Sequence, residues 1–286
     1  MAKCSVCFRH CAIKEGSVGF CGVRGCRDGE VFPTNYGKVT ALALDPIEKK
    51  PLRRFHPGSR ILSVGSYGCN LRCPFCQNDD ISWGEGLKFN TDTAEYLSPA
   101  DLAETAAFYR NRGNIGVAYT YNEPLISYEY IRDTARLIHE RQMVNVIVTN
   151  GTAEIEILEE LAPYIDAMNI DLKGFQESYY RDTLGGNLEM VKAFIERAVQ
   201  LCHVELTTLI VPGENDTEEE MREISSFIAG LKDINGSVIG KNVPLHISRF
   251  FPTFHMTDRP ATNVKLVYHL ADVAREKLNY VYEGNV

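Results

Sequence analysis

"RILSVGSYGCNLRCPFCQN", residues 60–78, is an apolar run that passes directly into a loop carrying three cysteines, Cys69, Cys73 and Cys76. The run reads as a buried strand, the first of six. "GVAYTY", "VNVIVTN", "AMNIDLKG", "HVELTTLIV" and "VPLHISRF" follow it, each separated from the next by enough chain for a helix. Helical spacing recurs near 98–112, 125–142, 153–164, 187–200, 217–232 and 263–278. In the second of these stretches Ile126, Tyr130, Ala135, Leu137 and Ile138 supply an apolar stripe. Ser98-Pro99 and Asp216-Thr217 are helix-start signals. Six strand–helix units in succession predict a parallel sheet, and six is short of the eight that close a full barrel. The expected fold is α/β, a partial (β/α)6 TIM-type barrel over residues 61–286.

Upstream lies a small Cys-rich N-terminal extension, residues 1–60. Its first thirty residues are rich in Cys and Gly, and the remainder reads as an extended or hairpin region with "GKVTALALDP" as a strand. Eight of the nine cysteines precede residue 77, a clustering that reads as metal ligation rather than a disulfide framework. The net charge of −8 argues against nucleic acid and membrane surfaces as partners, since both would repel it. No apolar run approaches the ~18 residues of a spanning helix, and "MAKCSVCFRHC" is not a signal peptide. A soluble, cytoplasmic protein is expected.

In parallel barrels the chemistry collects at the carboxyl ends of the strands. Glu123 stands just past the second strand, Thr149 and Asn150 end the third, Asp171 and Lys173 end the fourth, and His246 and Arg249 come late in the sixth. Alternation puts Asn169, Asp171 and Lys173 on one face and Met168, Ile170 and Leu172 on the other, which helices would cover. The polar face is either a ligand pocket or a buried Asp–Lys pair. His203 and Glu205 share a face of the fifth strand and either line the pocket or form a satisfied buried pair.

A tetrahedral zinc site or an ordinary four-cysteine cluster takes four ligands, yet no cysteine follows Cys76 until Cys202. Three thiolates on a four-iron cluster leave one iron open to bind a substrate or cofactor. "CNLRCPFC", with the aromatic Phe75 before the third cysteine, resembles the cluster motif of the radical S-adenosylmethionine (radical SAM) superfamily. The alternative is a three-cysteine zinc site completed by a distant histidine.

The resemblance implies a [4Fe–4S] cluster on Cys69, Cys73 and Cys76, whose open iron chelates the amino and carboxylate groups of S-adenosylmethionine. It places the Phe75 backbone at the adenine and Glu123 at the methionine amino group, here within Tyr121-Asn122-Glu123-Pro124 where many members carry Gly-Gly-Glu. Thr149, Asn150, Asp171, Lys173 and His246 fall where related enzymes place ribose, carboxylate and adenine contacts. It further implies an electron from flavodoxin or ferredoxin, reductive cleavage to a 5′-deoxyadenosyl radical, and hydrogen abstraction from a substrate. "DPIEKKPL", "GSYGCNLRCPFCQN", "TYNEP" and "DLKGF" together resemble the pyruvate formate-lyase-activating-enzyme-like branch, and within it the radical SAM enzymes of the AmmeMemoRadiSam system. That branch implies a protein or peptide substrate, a small molecule being the alternative. Val148 replaces an aspartate that helps several activases bind a monovalent cation, and Thr207-Thr208 replace a frequent arginine. An iron–sulfur or zinc protein without turnover is the reading of another class.

Cys4, Cys7, Cys11 and Cys21 give four further ligands, with Cys26 a fifth and His10 a substitute. They read as a zinc site, a second iron–sulfur cluster, or redox-active or free thiols. Cys202 reads as a buried small hydrophobe, His56 as a loop residue, Trp83 and "RFFPTF" as packing or lid residues, and Gly185-Gly186 as a turn in a region that closes over the site in the related branch.

Overall fold

The computed structural model describes residues 1–83 and 94–286. Its centre is an eight-stranded sheet of β1 (Ala41–Pro46), β2 (Arg60–Gly65), β3 (Asn114–Tyr119), β4 (Val144–Thr149), β5 (Ala167–Asp171), β6 (His203–Ile210), β7 (Leu245–Arg249) and β8 (Val281–Gly284). The strands lie side by side in sequence order, and β1 and β8 are its two edges, so the barrel is open. From β2 to β8 all pairs are parallel. Helices α1 (Pro99–Phe108), α2 (Tyr128–Glu140), α3 (Ile155–Leu161), α4 (Leu188–Ala198), α5 (Glu218–Ala229) and α6 (Val264–Arg275) make the crossovers. All six predicted helices are present, several with a short 3-10 turn at one end. Ser98 caps α1 through a hydroxyl that accepts from Asp101 N, and Thr217 caps α5 in the same way through Glu220 N.

The sheet holds two strands besides the six expected of the barrel, one of them, β1, inside the stretch "GKVTALALDP" already read as a strand. β8 is a seventh parallel strand, and β1 pairs antiparallel along the whole of β2. β8 has only four residues, too few for alternation to announce it, and it exists because the open edge of β7 supplies hydrogen-bond partners. The stretch before Gly185 is likewise more than a turn: Tyr179–Leu184 is a π-helical turn closed by Gly185 at φ +63°. Its Leu184 carbonyl accepts from Arg72 N at 2.8 Å, so it sits directly on the cysteine loop.

Alternation sorts the two faces of each strand. Met168, Ile170 and Leu172 are fully buried among residues of the surrounding helices. On the inner face Ile61, Ala118, Val146 and Ala167 meet Ile47 and Leu52, both with no exposed surface. The segment from Ile47 to Arg54 is thereby a plug in the amino-terminal end of the barrel. Glu205 anchors it, accepting from Arg53 N at 3.0 Å and Arg54 N at 2.7 Å.

The amino-terminal residues form two small hairpins, Ala2–Lys3 with Ala12–Ile13 and Arg24–Arg27 with Glu30–Pro33. Three arginines tie them to the helices and loops of the barrel. Arg24 pairs with Glu129 at 2.7 Å, Arg9 donates to the Asn70 and Gly185 carbonyls, and Arg72 reaches back to the Phe20 carbonyl.

Candidate active site

At the carboxyl ends of β2 to β7 a cavity of about 370 Å³ opens above the plug. Cys69, Cys73, Cys76, Phe75, Glu123, Thr149, Asn150, Asp171 and Lys173 all line it, so residues up to 104 positions apart meet in one place. The loop after β2 carries the cysteines, and the end of β4 supplies Thr149 and Asn150.

Glu123 is 3% exposed and held by three donors. Leu125 N at 3.0 Å and the Thr149 hydroxyl at 2.8 Å donate to Oε1, and Asn150 N at 2.8 Å donates to Oε2. Burial pushes this carboxyl up to about 7 against those hydrogen bonds. A carboxylate has about four acceptor positions, so one is left for a ligand's N–H. Lys173 Nζ lies 2.7 Å from Asp171 Oδ2. Burial opposes the charge on Lys173, but Asp171 and the Cys73 sulfur outweigh it and keep the lysine cationic. The two alternatives for this strand end are thus one arrangement, an ion pair on the wall of a pocket.

Cys69 Sγ lies 3.4 Å from Leu71 N and 3.8 Å from Asn150 Nδ2. Burial pushes the Cys73 thiol up to about 11 and raises Cys69 and Cys76 as well. Thiolates in such surroundings need cations against them. Among the described residues no three His, Cys, Asp or Glu side chains are gathered closely enough to hold one metal ion. Three half-buried cysteines lining one cavity fit a cluster that gives each of them its own iron.

His246 is not brought to this cavity. It faces inward from β7 but lower in the barrel, where its Nε2 donates to Glu205 Oε2 at 2.7 Å and its ring lies against Tyr282. Glu205 has no exposed surface and also accepts from half-exposed His203 at 3.0 Å, so the pair on β6 is a satisfied one whose carboxylate is buried. His56 is an exposed loop residue. Cys202 is half-buried, with its thiol 3.8 Å from the Ala198 carbonyl. Trp83 packs edge-on against Phe254, and Phe75 against Phe250. Cys4, Cys7, Cys11 and Cys21 line a separate cavity, while Cys26 lies outside it with its thiol 3.7 Å from Glu15 Oε2. His10 is near Glu154, away from the cysteines' cavity.

Two lining residues escaped sequence reasoning. Lys50, 4% exposed, enters the cavity from the plug and pairs with Asp45 at 2.9 Å. Tyr121 donates to the same Asp45 oxygen at 3.0 Å, from a backbone held at φ +76°. Burial raises Asp45, but the hydrogen bond and charge of Lys50, with help from Ser63 and Tyr121, hold it at about 2. Lys50 carried no signal, since nothing in a polar loop says which residue will be tucked under a barrel.

A profile described as the Radical SAM superfamily matches residues 63–228. An uncharacterised protein of Methanocaldococcus jannaschii is 40% identical over 288 residues, 99% of this chain and 81% of that protein. A pyruvate formate-lyase-activating enzyme of Clostridium pasteurianum is 27% identical over 182 residues, 62% of this chain and 73% of that one. Among solved structures, Streptococcus suis SuiB bound to S-adenosylmethionine shares the fold over 79% of this chain and 52% of its own, with a TM-score of 0.58 at 14% identity. No helix among the described residues is long and apolar enough to cross a membrane.

Proposed function

The chain belongs to the radical SAM superfamily, and on that premise we propose that its cavity binds S-adenosylmethionine on a [4Fe–4S] cluster and directs hydrogen abstraction at a protein or peptide substrate. The observation that carries the reading is the meeting of Cys69, Cys73 and Cys76 with Glu123, Thr149 and Asn150 around one cavity. When bound, a cluster with one open iron supplies the electron that splits S-adenosylmethionine into methionine and a 5′-deoxyadenosyl radical. The rest is placement by this chain's residues. Glu123 accepts from the cofactor's amino group with its remaining acceptor position. Thr149 and Asn150, already bonded to Glu123, hold the adjoining ribose and carboxylate. Asn150 Nδ2 and Leu71 N stabilise charge on the Cys69 sulfur. The Phe75 ring is packed against Phe250, which leaves its backbone for the adenine. Asp171 and Lys173 offer an acceptor and a cation on the wall of the same cavity. The proposed electron donor is a flavodoxin or ferredoxin. The protein-substrate reading is supported by the likeness to a pyruvate formate-lyase-activating enzyme.

Glu123→Gln tests the assignment, because the amide puts an N–H2 where a carboxylate oxygen accepted. The expected result is KM for S-adenosylmethionine raised by roughly 10- to 100-fold, about 1.4–2.8 kcal/mol, with iron content unchanged. An unchanged KM would remove Glu123 from the cofactor site.

A further inference from the structure

The amino-terminal cysteines have no part in the cavity that holds Glu123. Cys4, Cys7, Cys11 and Cys21 converge on their own, together with Arg9, Arg24 and Asn70. Cys4, Cys7 and Cys21 are 5%, 8% and 6% exposed, and none of the four is in a disulfide. Thiols alone pack as small hydrophobes and would explain nothing further. Arg24 changes this. It is 5% exposed, its Nη1 is paired with Glu129, and its Nε–H is buried with no partner among the described residues. A buried donor left unmade costs ~1–3 kcal/mol, more on a charged group. This orphan belongs to a residue on the wall that the four sulfurs share. Arg9 adds a second cation to the same wall. Two guanidinium groups and an unused donor beside four thiols are the surroundings of a group with net negative charge.

We propose that Cys4, Cys7, Cys11 and Cys21 hold a second iron–sulfur cluster, with the Arg24 Nε–H as hydrogen-bond donor to its sulfurs. Spacing selects a cluster over a zinc ion. Zinc–sulfur bonds of ≈ 2.3 Å draw four sulfurs to within ~4 Å of one another, and among the described residues no three His, Cys, Asp or Glu side chains are placed to hold one metal ion. Cys69, Cys73 and Cys76 share this property: both sets stand around a cavity instead of closing on a point. They differ in count. Four protein ligands leave no iron open, so this cluster binds no S-adenosylmethionine and serves to hold an electron or the fold. Asn70, on its wall, is the residue after Cys69, and its side chain bonds Thr152 and Asn150. The second cluster therefore rests against the loop of the first.

The test is iron, acid-labile sulfide and zinc per chain after anaerobic reconstitution, with paramagnetic resonance of the reduced protein. Wild type is expected to carry about eight irons, four per cluster. The triple variant Cys69→Ala, Cys73→Ala, Cys76→Ala is expected to keep about half of them, with a signal that S-adenosylmethionine does not change. Cys4→Ala with Cys7→Ala is expected to lose the other half and keep the responsive signal, while Cys26→Ala loses nothing. A triple variant without iron, or with about one zinc per chain, overturns the second cluster and leaves the proposed function standing. The triple variant decides the question even where the amino-terminal variants fail to fold. Iron retained by the triple variant, beside a wild type that never cleaves S-adenosylmethionine, would instead overturn the proposed function and uphold the second cluster.

Discussion

Replacing Cys73 by alanine is expected to reduce cleavage of S-adenosylmethionine by on the order of 10³-fold or more, equivalent to ~4 kcal/mol or more of lost transition-state stabilisation. The side chain lines the cavity together with Cys69 and Cys76, with Lys173 close enough to feel its charge. No substitute is at hand: the remaining cysteines of the chain are the amino-terminal five, which are not on this cavity, and Cys202, half-buried beside Ala198. Two thiolates cannot keep three irons of a four-iron cluster in place. The loss should appear as missing iron and as missing 5′-deoxyadenosine together. Circular dichroism should stay that of wild type, because the alanine removes one sulfur and no backbone contact. A Cys73→Ala protein that kept full turnover would exclude these cysteines as the seat of the chemistry.

Glu205→Ala is expected to lower stability by ~3–5 kcal/mol, the usual cost of breaking a buried charged network, out of a total of about 5–15 kcal/mol. Its carboxylate has no exposed surface and accepts from two imidazoles and two backbone N–H groups. Its removal leaves the buried His246 without its partner and takes the acceptor from half-exposed His203 and from the Arg53 and Arg54 N–H groups. The plug then loses its anchor to β6, and Lys50 its fixed position under the cavity. Burial alone would raise this carboxyl, but the hydrogen bonds from His203, His246, Arg53 N and Arg54 N prevail and hold it at about 2. A glutamate in the unfolded chain titrates near 4.3. Its folded pKa being depressed, the contribution is fully present above about pH 4.3 and is lost as the pH falls from there toward 2. Urea denaturation of wild type and variant should accordingly show a gap at pH 5 at least as large as that at pH 8, since a protonated imidazole pairs more strongly with the carboxylate. A gap below ~1 kcal/mol, or one smaller at pH 5 than at pH 8, would refute the anchoring role.

What the sequence showed plainly was whatever is local. Cys69, Cys73 and Cys76 share one loop, and Glu123, Thr149, Asn150, Asp171 and Lys173 each end or follow a strand whose alternation orders its side chains. Parallel topology then carries all those strand ends to one rim, which is why residues read one strand at a time meet in a single cavity. His246 shows the limit of that reasoning. It has the right face of the right strand, but height along the barrel matters too, and pairing with Glu205 takes it below the cavity floor. The plug was hidden for a related reason. Its hydrogen bonds span 152 and 151 residues, a closure to which periodicity is blind. Tyr121 reaches Asp45 across 76 residues, a contact hidden in the same way, and joins it to Lys50. The spacing of Cys4, Cys7, Cys11 and Cys21 was visible, with Arg9 and Arg24 in the same short segment, whereas Asn70 on the wall they share comes from the loop after β2.

The most direct test gives the anaerobically reconstituted protein dithionite and S-adenosylmethionine, and follows both products over time. Reductive cleavage in this cavity predicts 5′-deoxyadenosine and methionine in equal amounts, with neither formed above background by Cys73→Ala. Intact S-adenosylmethionine beside a fully reduced cluster would contradict it and leave the chain an iron–sulfur protein without turnover.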